Sequence, residues 1–194
     1  MRHSRPIEMN LDNLRLVSEC LKTTPHFLFF GTLLGYVREG CIIEGDDDID
    51  LYVDRKLRNE ISHLFHGTDM KVRRNRAKFQ TEYFAQAVRR FDDVVTFADF
   101  YFYEDNPEHD YIVDHWNFRG EYGKPETAMH VPRELLFPLQ KGTMQGFEVS
   151  LPASPEGCCE FLYGKDWRIP MAKGSEYTTK IVDHRPRIVH QKNK

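Results

Sequence analysis

Apolar residues recur at helical spacing at Leu11, Leu14, Val17 and Leu21, behind Asn10, which is placed to cap a first helix. Thr23, Thr24 and Pro25 end that pattern. The chain then changes to an unbroken apolar run, HFLFF, between Pro25 and Gly31, which predicts a short buried strand over residues 26–30. A short helix is expected over 32–38, before Gly40. Residues 48–53 (DIDLYV) alternate and read as a second strand, followed by a helix over 57–65 that ends near Gly67. Residues 70–74, 79–90 and 94–103 carry the β-branched and aromatic side chains that suit a pleated sheet. Asp92 and Asp93 turn the last two of these into an antiparallel pair. Beyond Asn106 and Pro107 the pattern weakens, and Gly120, Gly123 and Pro125 break any long element. Residues 147–151 form a further strand, and a helix opens at Ser154–Pro155 and stops at Gly164. The expected class is α+β, with a mixed, mostly antiparallel central sheet flanked by helices. One domain spans 1–173, and a basic tail over 174–194 carries Lys180, Arg185, Arg187, Lys192 and Lys194 against Glu176 and Asp183.

Composition narrows the class. The 194 residues are 40% hydrophobic and include 14 Phe and 9 Tyr, enough for a packed core, which excludes intrinsic disorder as an overall description. The net charge of -3, from 27 basic and 30 acidic residues, offers no overall reason to expect nucleic acid as a partner. Cys158 and Cys159 are adjacent while Cys20 and Cys41 stand alone, so no CxxC pair is available for zinc and free thiols in a reducing compartment are expected. The N-terminus lacks the apolar core of a secretory signal, and no stretch approaches the ~20 apolar residues of a membrane span. These features predict a soluble, cytoplasmic protein.

The charge is unevenly spread. Acidic residues gather in Glu44-Gly-Asp-Asp-Asp-Ile-Asp50, a run that enters a predicted strand. Side chains alternate along a strand, so Asp48 and Asp50 share one face while Ile49, Leu51 and Val53 point to the core. Two carboxylates ~7 Å apart at the backbone can converge on one or two divalent cations. Oxygen ligands alone suit Mg2+ or Mn2+ rather than Zn2+. Asp99 is the single charge in the apolar run VVTFADFYFY, where a carboxylate is costly unless paired or bound to a metal.

Gly31 and Thr32 follow the first strand and open a helix. Glycine lets the backbone approach a ligand closely, and amides at a helix N-terminus attract phosphate. Arg38 is available to neutralise phosphate. A strand, Gly-Thr, a helix, a strand-borne Asp-x-Asp and a later strand Asp together make the layout of the nucleotidyltransferase fold.

The segments Gly31-Thr-Leu-Leu-Gly-Tyr-Val-Arg-Glu-Gly40 and Asp46-Asp-Asp-Ile-Asp-Leu51 resemble the core signature of LicD-type phosphotransferases, the group that includes fukutin and fukutin-related protein. Phe161-Leu-Tyr-Gly-Lys-Asp-Trp-Arg-Ile-Pro170 is similar to the family's later Tyr-Gly-x-Asp-Trp segment. The resemblance implies a nucleotidyltransferase-like domain that moves a phospho-alcohol, such as phosphocholine, from a CDP-linked donor to a glycan hydroxyl and releases CMP. The donor would be CDP-choline, CDP-ribitol or CDP-glycerol, and the acceptor a sugar of a surface glycan or glycolipid. By the same match, Asp48 and Asp50 would bind Mg2+ or Mn2+, and Asp99 would complete the metal site or act as base. Gly31, Thr32 and Arg38 would hold donor phosphates. The family commonly carries Trp before the acidic run; Gly45 stands there in this chain and removes an aromatic wall.

Two other readings stay open on the residues: transfer of a nucleoside monophosphate from an NTP to a small molecule or protein, and a non-catalytic glycan- or nucleotide-binding module. If the transferred alcohol is choline, Tyr101, Tyr103, Trp116, Tyr163 and Trp167 are the aromatic faces available to its ammonium. His115 and His130 show no metal-ligand spacing. The basic stretch over 71–78 and the cationic tail are read as facing an anionic acceptor, a membrane surface or water.

Overall fold

The computed structural model describes residues 7–73, 83–114 and 128–172. The expectations for His115, Trp116, the later part of the basic stretch and the tail fall outside those residues.

The first helix, α1 (Ile7–Cys20), begins three residues before Asn10, so Asn10 is not its cap. It is wholly buried, and its side-chain amide donates to the Asp46 carbonyl at 2.9 Å, tying the helix to the acidic loop. Strand β1 (His26–Leu28) is followed by α2 (Phe30–Glu39), which is longer than the pattern predicts because Phe30 already enters the helix, with φ 43. A bulky residue at positive φ is strained by about 1–3 kcal/mol, and here it makes the sharp strand-to-helix corner. Gly40, at φ 66, closes α2 in the left-handed conformation.

Strand β2 (Asp48–Asp54) runs antiparallel to β1 and parallel to β5 (Val94–Asp105). The predicted helix over 57–65 is replaced by a 3-10 turn at Arg55–Leu57 and the single turn α3 (Ile61–Leu64). Strand β3 (Lys71–Arg73) pairs with β4 (Phe84–Phe91), which forms the expected hairpin with β5, Asp92 taking φ 48 at the turn. Two strands that the pattern did not reveal, β6 (Tyr111–Asp114) and β7 (Met129–Pro132), extend the sheet from the far end of β5. Helix α4 (Arg133–Leu136) leads to a separate hairpin, β8 (Gln140–Met144) and β9 (Phe147–Leu151), and α5 (Pro155–Tyr163) packs against α2.

Among the described residues the main sheet has seven strands, with β1, β2, β5, β4 and β3 side by side, and every pairing there except β2 with β5 is antiparallel. One face packs Ile49, Leu51, Val53, Ala98, Phe100 and Phe102 into the core. The opposite face is buried too, over much of its length, by an aromatic group in which Phe29 stacks on Tyr52 at 4.0 Å and Phe27 meets both edge-on. Each such side chain stabilises the fold by about 1.5–3 kcal/mol. β2 is therefore anchored on both faces along its apolar part, leaving Asp48 only half-buried where the strand begins. Among the described residues, no helix is long and apolar enough to cross a membrane.

Candidate active site

The β1–α2 corner, the start of β2 and the middle of β5 meet at one place. In the parallel pair, Asp50 is in register with Asp99, and Asp48 with Phe97. Neighbouring strands lie about 4.8 Å apart, so this register brings Asp99 alongside the two β2 carboxylates. Ligand atoms of Asp48, Asp50 and Asp99 all lie within 4.8 Å of one another. Asp46, Asp47 and Asp48 form an overlapping group by the same measure, with Asp48 common to both.

Asp50 is held on three sides. Its Oδ2 accepts the Gly31 backbone N–H at 2.9 Å, its Oδ1 accepts the Tyr101 hydroxyl at 3.2 Å, and its own N–H donates to Thr32 Oγ1 at 2.8 Å. The close approach suits glycine: a Cβ there would lie 3.0 Å from Asp46 Oδ2 and 3.1 Å from Asp50 Oδ2, so the carboxylates would have to give way by a few tenths of an ångström. Asp99 Oδ1 accepts the side-chain amide of Gln86, its cross-strand partner on β4, at 2.9 Å. Gln86 escaped the sequence reading and Asn10 was read only as a helix cap, because their contacts depend on strand register and helix docking, which no local pattern specifies.

Crowding of acids dominates the electrostatics. Burial pushes the Asp50 carboxyl well above the ordinary carboxylate range, and Asp48, Asp99 and Asp46 push further, with the Gly31 hydrogen bond working against them. Asp99 is pushed up to about 7, first by burial and then by Asp48 and Asp47, while the Gln86 hydrogen bond opposes the shift. Burial, followed by Asp50 and its neighbours, raises the Tyr101 phenol so far that it stays a hydrogen-bond donor. Carboxylates gathered in this way repel one another unless protonated or bridged by a cation. The donor set is oxygen only, which fits Mg2+ or Mn2+.

Gly31 and Thr32 thus belong to the site, with both hydrogen-bonding groups engaged by Asp50, and Thr32 only 1% exposed. Arg38 is elsewhere. It lies seven residues beyond Gly31, about 10 Å along α2 at the usual helical rise. There it pairs with Glu39 at 3.0 Å and lines an open cleft of about 350 Å³ with Val37, Trp167, Arg168 and Pro170. Of the aromatic candidates among the described residues, Tyr103, Tyr163 and Trp167 are buried, and the Tyr101 hydroxyl donates to the Asp50 carboxylate. Gly45 has φ +80, a conformation in which any L side chain is strained, so the missing Trp has a backbone reason.

The family described as "LicD/FKTN/FKRP, nucleotidyltransferase domain" matches residues 23–154, a span that holds every carboxylate of the site. The chain belongs to the LicD family. Membership makes it a transferase of the LicD type and gives its α+β architecture a name, the nucleotidyltransferase fold. Among solved structures, the chain resembles the lincosamide antibiotic adenylyltransferase LnuA in its lincomycin-bound form, with a TM-score of 0.51 and 12% identity over 91% of this chain and 96% of that one. That likeness concerns the fold. No curated protein sequence matches the chain. The LicD match ends before α5 and before Trp167, Arg168 and Pro170, which line the cleft together with Arg38.

Proposed function

We propose that this LicD-family chain transfers a phospho-alcohol, such as phosphocholine or a polyol phosphate, from a CDP-linked donor to a glycan hydroxyl. The observation that carries the reading is the convergence of Asp48, Asp50 and Asp99 within 4.8 Å, inside the matched segment. These three residues would hold Mg2+ or Mn2+, which when bound offsets the negative charge that grows on the departing CMP. Gly31, Thr32 and Tyr101 keep Asp50 in one orientation, so donor phosphate is served through Asp50 rather than by direct contact with the Gly31 amide. The acceptor oxygen forms a bond to the phosphorus that carries the alcohol, and the bond from that phosphorus to the CMP oxygen breaks. The acceptor's proton passes to a carboxylate of the cluster. Arg38, beside Trp167 and Arg168, would offer its guanidinium to a donor phosphate. Residues 1–173 act in this reading as one catalytic domain.

The test is a thermal-shift screen of CDP-choline, CDP-ribitol, CDP-glycerol and NTPs with Mg2+ or Mn2+, followed by product masses with a glycan acceptor. Stabilisation by a CDP-alcohol and CMP release support the proposal. Stabilisation by NTPs alone, with a nucleotide added to the acceptor, replaces it by nucleotidyl transfer. Ligand binding without turnover on any acceptor leaves a binding module.

A further inference from the structure

Gln86 is the one uncharged polar side chain in β4, FAQAVRRF, and it stands directly opposite Asp99. Facing side chains on paired strands have Cβ atoms about 4.5–5.5 Å apart, so the amide reaches the carboxylate without bending either strand. The chemistry of the contact is selective. An arginine or lysine in that place would neutralise Asp99 and compete with a cation, whereas a neutral amide orients the carboxylate and leaves its charge intact. The amide takes one carboxylate oxygen at 2.9 Å, and Asp99 still offers a ligand atom within 4.8 Å of Asp48 and Asp50. Hydrogen bonds from outside a ligand set commonly fix the orientation of ligating groups in this way.

We propose that Gln86 is a positioning residue for cation binding, holding Asp99 by Oδ1 so that its remaining oxygen completes the site with Asp48 and Asp50. The proposal rests on the reading of those three carboxylates as a cation site. It makes a claim that simple satisfaction of a buried carboxyl does not: Gln86 acts on the cation through Asp99 and by no other route.

Mn2+ titrations of the full chain, followed by the electron paramagnetic resonance of free Mn2+, test it on wild type, Gln86→Met, Asp99→Asn and the double variant. Gln86→Met should weaken Mn2+ binding roughly ten-fold or more. Asp99→Asn should weaken it at least as much, and the double variant no further than Asp99→Asn alone, because two residues acting through one contact are not additive. Wild-type affinity in Gln86→Met, or a fully additive loss in the double variant, overturns the role of Gln86 while the cation site stands. Undiminished binding in Asp99→Asn, or no Mn2+ uptake by the wild type, overturns the site itself and this proposal with it. Circular dichroism checks folding; if Gln86→Met does not fold, Gln86→Asn, whose amide falls one methylene short, takes its place.

Discussion

The backbone N–H of Gly31 donates to Asp50 Oδ2 at 2.9 Å, and a Cβ on Gly31 would stand only 3.1 Å from the same oxygen. Gly31→Ala separates stability from function. Alanine is favoured in a helix by about 1 kcal/mol over glycine, but its Cβ would press on the carboxylates of Asp46 and Asp50. The melting temperature should stay level or rise slightly. Metal-dependent turnover should fall at least ten-fold in a CMP-release assay.

Asp50→Asn removes a charge from a group of like charges while keeping its shape. The amide oxygen can still accept from Gly31, and the amide N–H can donate to the Tyr101 hydroxyl. The metal-free protein should melt no lower than wild type. Turnover should fall on the order of a thousand-fold, the loss expected when several kcal/mol of charge stabilisation at the transferring phosphoryl group goes. Asp48→Ala should likewise abolish turnover in a folded protein. Retained activity in either variant would exclude the carboxylates from catalysis.

The raised Asp99 carboxyl carries a pH dependence whose sign is set. A carboxyl more basic in the folded than in the unfolded chain stabilises below its unfolded value, and that contribution is lost as pH rises through the folded value. For Asp99 the window runs from 3.8 to about 7. Across it, metal-free wild type should lose melting temperature relative to Asp99→Asn. Added Mn2+ should stabilise the wild type more at the top of the window than at the bottom, because the cation competes with protons for the carboxylates. Differential scanning fluorimetry in a pH series reads both effects.

Asn10 ties α1 to the acidic loop from the far side. Removing its buried amide leaves the Asp46 carbonyl without that donor, at a cost of about 1–3 kcal/mol. Asn10→Ala should therefore lower the urea midpoint and weaken Mn2+ binding, although Asn10 touches none of the three site carboxylates in the hydrogen bonds it makes.

Much of the site was legible because its signals are local. Asp48 and Asp50 share a face through the two-residue period of a strand, and both lie in β2. Asp99 was legible as a charge in an apolar run, and it lies in β5 opposite Asp50. Where the reading failed, the contacts were distant in sequence. Asn10 has the residue type of a cap, yet it is buried inside a longer helix because its partner is 36 residues away. The predicted helix over 57–65 shrank to separate short turns. Strands β6, β7 and β8 have weak patterns of their own and are specified by the neighbours they pair with.

Composition, strand alternation and the Gly-Thr and Asp-x-Asp spacing determined the class of the chain and named its three carboxylates, since each of those signals lies within a few residues. The parallel register of β2 and β5 was decided only in three dimensions, because pairing energy depends on which side chains meet across strands. That register sets Tyr101 against Asp50, and the antiparallel register of β4 on β5 sets Gln86 against Asp99, so two ordinary strand residues become the groups that hold the carboxylates. Only the packing of the C-terminal segment on α2 brings Trp167 and Arg168 beside Arg38, in the last turn of that helix.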